Sequence, residues 1–103
     1  MSELESITQK ISAAVGENSG LGKIIKFDFG DLGQILINAA TVPNTVTNDN
    51  AAADTTIQIA LDDLKSMAAG TLDPMMAFMT GKMKIQGDIG VAQKLAPLLK
   101  GAR

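Results

Sequence analysis

Thr71–Gly90 reads TLDPMMAFMTGKMKIQGDIG, and apart from the initiator every methionine of the chain (Met67, Met75, Met76, Met79 and Met83) lies in this stretch or just before it. The stretch changes period twice. Asp73-Pro74 is an N-cap followed by proline at the first helical position, and Gly81 closes the helix. Met83 and Ile85 then face one way and Lys82, Lys84 and Gln86 the other, which predicts a strand. Asp88 is placed to cap a final helix carrying Val91, Ala92, Leu95, Leu98 and Leu99 on one face, and Pro97 is expected to bend or shorten it. In the middle helix Met75, Phe78 and Met79 share a face at i, i+3 and i+4, while Met76 and Ala77 point elsewhere. A helix with almost no polar side is expected to be covered on more than one side.

Upstream, Asp62 or Asp63 can cap a short helix carrying Leu64, Met67 and Ala68, ended by Gly70. TTIQIAL before it reads as a strand, with Ile57, Ile59 and Leu61 on one side and Thr56 and Gln58 on the other. NDNAAAD is a polar loop of small residues, and a weaker strand is expected at Thr45–Thr47. GDLG is a turn between two further strands, GKIIKFDFG and QILINAATV, which are expected to pair as a hairpin. At the N-terminus, Leu4, Ile7, Ile11, Ala14 and Val15 recur at helical spacing, with Ser2 and Glu5 spaced as a capping box and Gly16 as a stop. The order is helix, three or four strands, two short helices, strand, helix. That order predicts an α+β fold in which helices cover one face of a mostly antiparallel sheet.

The chain has 103 residues, which suits one domain spanning 1–103 with a thin core. Its net charge of −2, with eight scattered lysines and an arginine only at the last position, argues against nucleic acid as a partner and against permanent attachment to anionic membranes. There is no Cys and no His. Disulfides, thiol nucleophiles and the His-based catalytic and metal constellations are therefore excluded, and the expectation is a non-enzyme. The acidic, polar opening MSELESITQK and the lack of a long apolar run suggest a soluble protein of the cell interior.

The methionine helix admits three readings: a filled patch of core, the wall of an apolar pocket, or a groove for a partner. A filled patch of core is the default; methionine, being unbranched and polarizable, refits to variable shapes and would also suit the latter two. The Asp62-Asp63 pair is accounted for by capping and the helix dipole, without acid–base chemistry. GENSGLGK fails as a phosphate loop, because Gly16 to Gly22 encloses five residues and Ile24 follows Lys23. GDIG lacks the third glycine of a dinucleotide turn. Gln86, Gln93 and Lys94 sit where the last strand meets the last helix, either as surface polarity or as partners for the polar end of an apolar ligand.

Ala53–Leu99 resembles the second half of a sterol carrier protein 2 domain. The pieces that carry the resemblance are Asp54 leading a strand, Gly70 ending a helix, Asp73-Pro74 opening the next, Gly81-Lys82-Met83-Lys84-Ile85-Gln86-Gly87, and Ala92-Gln93-Lys94-Leu95. The resemblance implies a five-stranded sheet backed by helices and enclosing an apolar tunnel. It also implies a lipid-binding or lipid-transfer role toward a fatty acid, fatty acyl-CoA, phospholipid or sterol, with transient membrane contact and no cofactor. The pocket is then expected to draw on Met67, Leu72, Met75, Phe78, Met79, Met83, Ile85, Val91 and Leu95. Phe27, Ile35 and Ile57 would form its floor, and Gln93 would stand at the polar end. The chain ends in GAR, unlike a peroxisomal tripeptide, so a cytoplasmic, stand-alone bacterial domain is expected, as a monomer or weak dimer. The alternative function is a protein-interaction domain using the methionine-rich helices as a dimer or partner surface.

Overall fold

The computed structural model describes residues 3–18 and 20–100, with the backbone alone at 74 and 96–100. Its elements are α1 (Glu3–Val15), β1 (Ile24–Asp28), β2 (Gln34–Asn38), β3 (Thr45–Thr47), β4 (Thr55–Ile59), α2 (Leu61–Ala69), α3 (Pro74–Met79), β5 (Met83–Gly87) and α4 (Ile89–Lys100). A short 3-10 turn, Gly30–Leu32, joins β1 to β2. The expected capping box of Ser2 and the Leu98 and Leu99 face of α4 lie outside the described residues. The α4 backbone runs on through Pro97, so the proline does not shorten that helix.

The five strands form one sheet in the order β3-β2-β1-β4-β5. β1 and β2 pair antiparallel, as their hairpin pattern predicts, and β2–β3 and β4–β5 are antiparallel as well. β1 and β4, at the centre, pair in parallel, so the sheet is mixed. The reason lies in the segment after β3. The meander leaves β3 running in the same direction as β1, and the chain must cross back before β4 can start beside β1. That return loop is pinned at several points. Lys26 Nζ donates to Asn50 Oδ1 at 3.0 Å, and Asn48 Nδ2 donates to the Thr8 hydroxyl at 3.0 Å. The Ile24 amide donates to Asp54 Oδ2 at 2.9 Å, and the Asp54 amide returns a bond to the Ile24 carbonyl at 2.8 Å.

The registers bring Ile35, Phe27, Ile57 and Ile85 into one row across β2, β1, β4 and β5. Ile37, Ile25, Thr55 and Gly87 form the neighbouring row on the same face. This face is the floor of a single buried cluster completed by Ile7, Ile11 and Val15 of α1, Leu64 and Met67 of α2, and Val91 and Leu95 of α4. Each large side chain withdrawn from water here contributes about 1.5–3 kcal/mol before conformational entropy is subtracted.

Two helix starts follow the predicted caps. Asp73 accepts from the Met75 amide at 2.8 Å, and Asp88 accepts from the Gly90 amide at 2.9 Å. The start of α2 departs from expectation. Its N-cap is Ala60, without a side-chain cap, and Asp62 and Asp63 fall inside the first turn, where they face the helix dipole. β4 ends at Ile59, so Leu61 buries itself from the helix and not from the strand. Chain direction at the end of a strand decides this boundary, and the local polar pattern does not encode it.

The β5–α4 corner is closely packed. The fully buried Thr55 hydroxyl donates to the Asp88 carbonyl at 3.1 Å and accepts from the Asp88 amide at 3.2 Å. Beside it Gly87 has φ +101°, and a Cβ there would stand 2.3 Å from the Asp54 carbonyl oxygen. Gly22 also has positive φ (+68°) but faces open space. Gly22→Ala is therefore expected to cost about 1 kcal/mol of strain. Gly87→Ala should cost at least about twice that, because backbone must move as well. Urea unfolding of both variants measures the difference, and equal losses would refute the close approach.

Candidate functional site

The methionine helix is built from its ends inward. Asp73 satisfies the Met75 amide, Pro74 occupies the first turn, and the Thr80 hydroxyl bonds back to the Met76 carbonyl at 2.7 Å. The Lys82 amide donates to the Ala77 carbonyl at 2.9 Å and turns the chain into β5, against which α3 packs. With six residues the helix has room for one line of contact, and that line is Ala77, fully buried in the core. A small side chain permits close approach of the two backbones; a methionine there would hold the helix off the sheet.

Every other described side chain of α3 follows from that choice. At 100° per residue, Met75 and Met79 straddle the direction opposite Ala77, and Met76 and Phe78 flank it. Exposure follows the same order: Met79 73%, Met75 61%, Met76 53% and Phe78 43%. The helix is therefore covered along one side only, not on several as its composition predicts. Spacing correctly put Met75 and Met79 on one face, but this is the outward face. Periodicity cannot tell which side of an all-apolar helix meets the body.

The remaining candidates fall into three groups. Phe27, Ile35, Ile57, Met67, Met83, Val91 and Leu95 are buried together in the core. Leu72 and Ile85 are half-buried and pack against its edge. Gln93 is exposed, as are Gln86 and Lys94. The described residues do not by themselves delimit a tunnel. What they present is an apolar crest, α3, seated beside the edge strand β5 of a packed core.

A feature the local pattern could not reveal lies between α1 and α2. Glu3, Ser6, Ile7, Lys10, Lys65, Ala68 and Ala69 line an open groove of about 430 Å³. Glu3 and Lys65, 62 positions apart, form an ion pair at 2.5 Å across it. The hydrogen bond to the Glu3 carboxylate, and then its charge, raise the Lys65 ammonium above its ordinary range. The link is thus complete below the usual lysine value and is lost as pH rises through the raised one. Both side chains are well exposed, so it contributes little to stability. Among the described residues no group of three or more His, Cys, Asp or Glu could hold a metal ion, and no helix is long and apolar enough to cross a membrane.

Known proteins bear on this arrangement. The profile of the SCP-2 sterol transfer family matches residues 4–100. The chain is 49% identical over 47 residues to hydroxysteroid dehydrogenase-like protein 2 of Mus musculus, a match covering 46% of this chain and 10% of that protein. It thus spans about a tenth of the length of the curated relatives it matches. Among solved structures it is similar to the sterol carrier protein domain 2 of Helicoverpa armigera, with a TM-score of 0.68, 30% identity, and 95% of this chain and 85% of that one covered. It also matches the fold of sterol carrier protein-2 from Aedes aegypti in complex with palmitate, with a TM-score of 0.78 at 18% identity and both chains covered in full.

The exposure of α3 has a direct consequence for stability. Met75→Ser, Met76→Ser and Met79→Ser should each change unfolding free energy by no more than about 0.5 kcal/mol. Leu64→Ala, in the closed core, should cost about 2–5 kcal/mol. Losses of core size at the three methionines in urea unfolding would show that α3 is covered in solution.

Proposed function

The chain belongs to the SCP-2 sterol transfer family, and from that membership we propose that it is a non-catalytic lipid-binding and lipid-transfer domain. Its ligand in this reading is a fatty acid or a related acyl lipid (fatty acyl-CoA or phospholipid), with a sterol-like molecule as the bulkier case. The observation that carries the reading is the apolar helix α3, which stands exposed on this fold where a purely structural helix would bury its methionines. The palmitate complex of the Aedes aegypti protein supports it, since that protein holds an acyl chain within the same architecture.

The acyl chain would enter beside α3, past the exposed Phe78, and displace Leu72 and Ile85 from the edge of the core they pack against. Methionine and leucine walls refit to chains of different length, which suits a carrier of several lipids. A chain of about fourteen methylenes gains on the order of 10 kcal/mol gross at roughly 0.8 kcal/mol per buried CH₂. Ordering of the ligand and of the side chains removes a good part of this. The polar end would stay at the mouth, in water, and Gln93, exposed on α4, is the amide this reading assigns to it. Uptake and release need no bond to be made or broken.

Native mass spectrometry after incubation with fatty acids, acyl-CoAs, phospholipids and a sterol tests the reading. One retained equivalent of an acyl lipid is the expected result. Phe78→Asp, at a half-exposed position that tolerates the charge in the free protein, should weaken retention at least about tenfold by placing a carboxylate against the chain. A bare protein mass throughout, with folding confirmed, would overturn the proposal. A mass that instead doubles with concentration would favour the partner-surface alternative.

A further inference from the structure

We infer that residues 73–82, the helix α3 with its two caps, are the gate of the lipid site: they lift from β5 as one unit and let the acyl chain pass while the rest of the fold stays closed. The inference deepens the lipid-carrier reading and rests on it for the cargo. The hydrogen bonds carry it. Among the described residues, every hydrogen bond made by residues 73–82 ends within 73–82. Asp73 accepts from the Met75 amide through its carboxylate and from the Ala77 amide through its carbonyl. Thr80 reaches back to the Met76 carbonyl by amide and hydroxyl, and the Gly81 and Lys82 amides donate to the Phe78 and Ala77 carbonyls. Just before the unit, the Thr71 and Leu72 amides donate to the Ser66 carbonyl of α2 at 3.0 and 3.2 Å. Just after it, Met83 pairs with Ile59 in the sheet. The chain thus changes from body to unit, and back again, between neighbouring residues.

What holds the unit down is small. Ala77 alone among its described side chains is buried. Met75, Met76, Phe78 and Met79 are exposed while the helix is seated, so lifting it adds to water little more than one methyl group and the edge of β5. A helix of six residues does not persist alone in water, so the unit unwinds as it leaves and reforms when Ala77 reseats. Openings of this kind lie well below global unfolding in free energy. The neighbouring elements are tied differently. β5 pairs with β4 from Met83 to Gly87, and the start of α4 closes on the buried Thr55. Thr8 of α1 is bonded by Asn48 of the return loop. These ties remain when α3 lifts, and what opens is the border of the core at β5, where Ile85 ends the apolar row that begins at Ile35.

Native-state hydrogen exchange of the full chain at low urea tests the opening, and dissociation of radiolabelled palmitate chased by excess unlabelled palmitate tests its role. The Ala77, Thr80 and Lys82 amides should exchange through an opening that urea barely accelerates, because little surface is exposed. The Phe27 and Ile57 amides should instead follow the urea dependence of global unfolding. Gly81 supplies the variant. It holds φ +81° with nothing within 4 Å of an added Cβ, so Gly81→Ala strains only the seated cap. The change should speed exchange at those three amides, and palmitate release with it, by at least about fivefold. Gly22→Ala, strained in the same way at φ +68° but outside the unit, should leave both rates unchanged. Exchange at 77, 80 and 82 by global unfolding alone overturns the gate, and so does palmitate release that Gly81→Ala leaves unchanged. With palmitate still retained, either result leaves the carrier reading standing. A chain that retains no palmitate overturns the carrier reading, and the gate with it.

Discussion

The parallel pairing of β1 with β4 is the contact on which the rest of the molecule depends. It places Phe27 beside Ile57, and that one register aligns Ile35 on one side and Ile85 on the other into a continuous apolar row. A slip of one residue would turn the whole row to the opposite face. The return loop holds the register from outside the sheet, through the two-way bond between Ile24 and Asp54 and the bond from Lys26 to Asn50. The buried Thr55 holds it from within by closing on Asp88, and Gly87 lets the chain pass close enough for that bond to form.

Once β5 is fixed at the edge, the position of α3 follows. The helix is short, its connection into β5 is tight, and a single alanine is the contact that allows both. The methionines are left outside because the helix is too short to wrap the body, not because the sequence marks them as polar. Their deformability then suits a lipid-binding role, in which apolar surfaces must meet in varied shapes.

Much of the fold is legible in the residues. Proline after Asp73, and glycine at 70 and 81, mark real helix ends because capping chemistry is local. Ile25 and Phe27 against Lys26 and Asp28 mark a real one-sided strand, although Phe29, read as part of it, is buried just past its end, in the turn. The pocket candidates divide more sharply. The apolar ones on the central strands and the longer helices are buried as their pattern predicts and Ile85 on the edge strand is half-buried, whereas Gln93 is exposed and so are Met75, Phe78 and Met79 on the short helix. The groove between α1 and α2 had no sequence signal at all, since its ion pair joins residues far apart in the chain.

By itself the sequence determined the order and kind of the elements, the α+β class, the absence of thiol and imidazole chemistry, and the residues of family resemblance. Each of these depends on neighbours within about one turn or one strand, where spacing and side-chain type are sufficient. Only the tertiary structure decided that the central pair is parallel, that α2 starts at Leu61 without a carboxylate cap, and that α3 turns its alanine inward and its methionines out. Those outcomes depend on which distant segment arrives beside a given residue, and no local period carries that information.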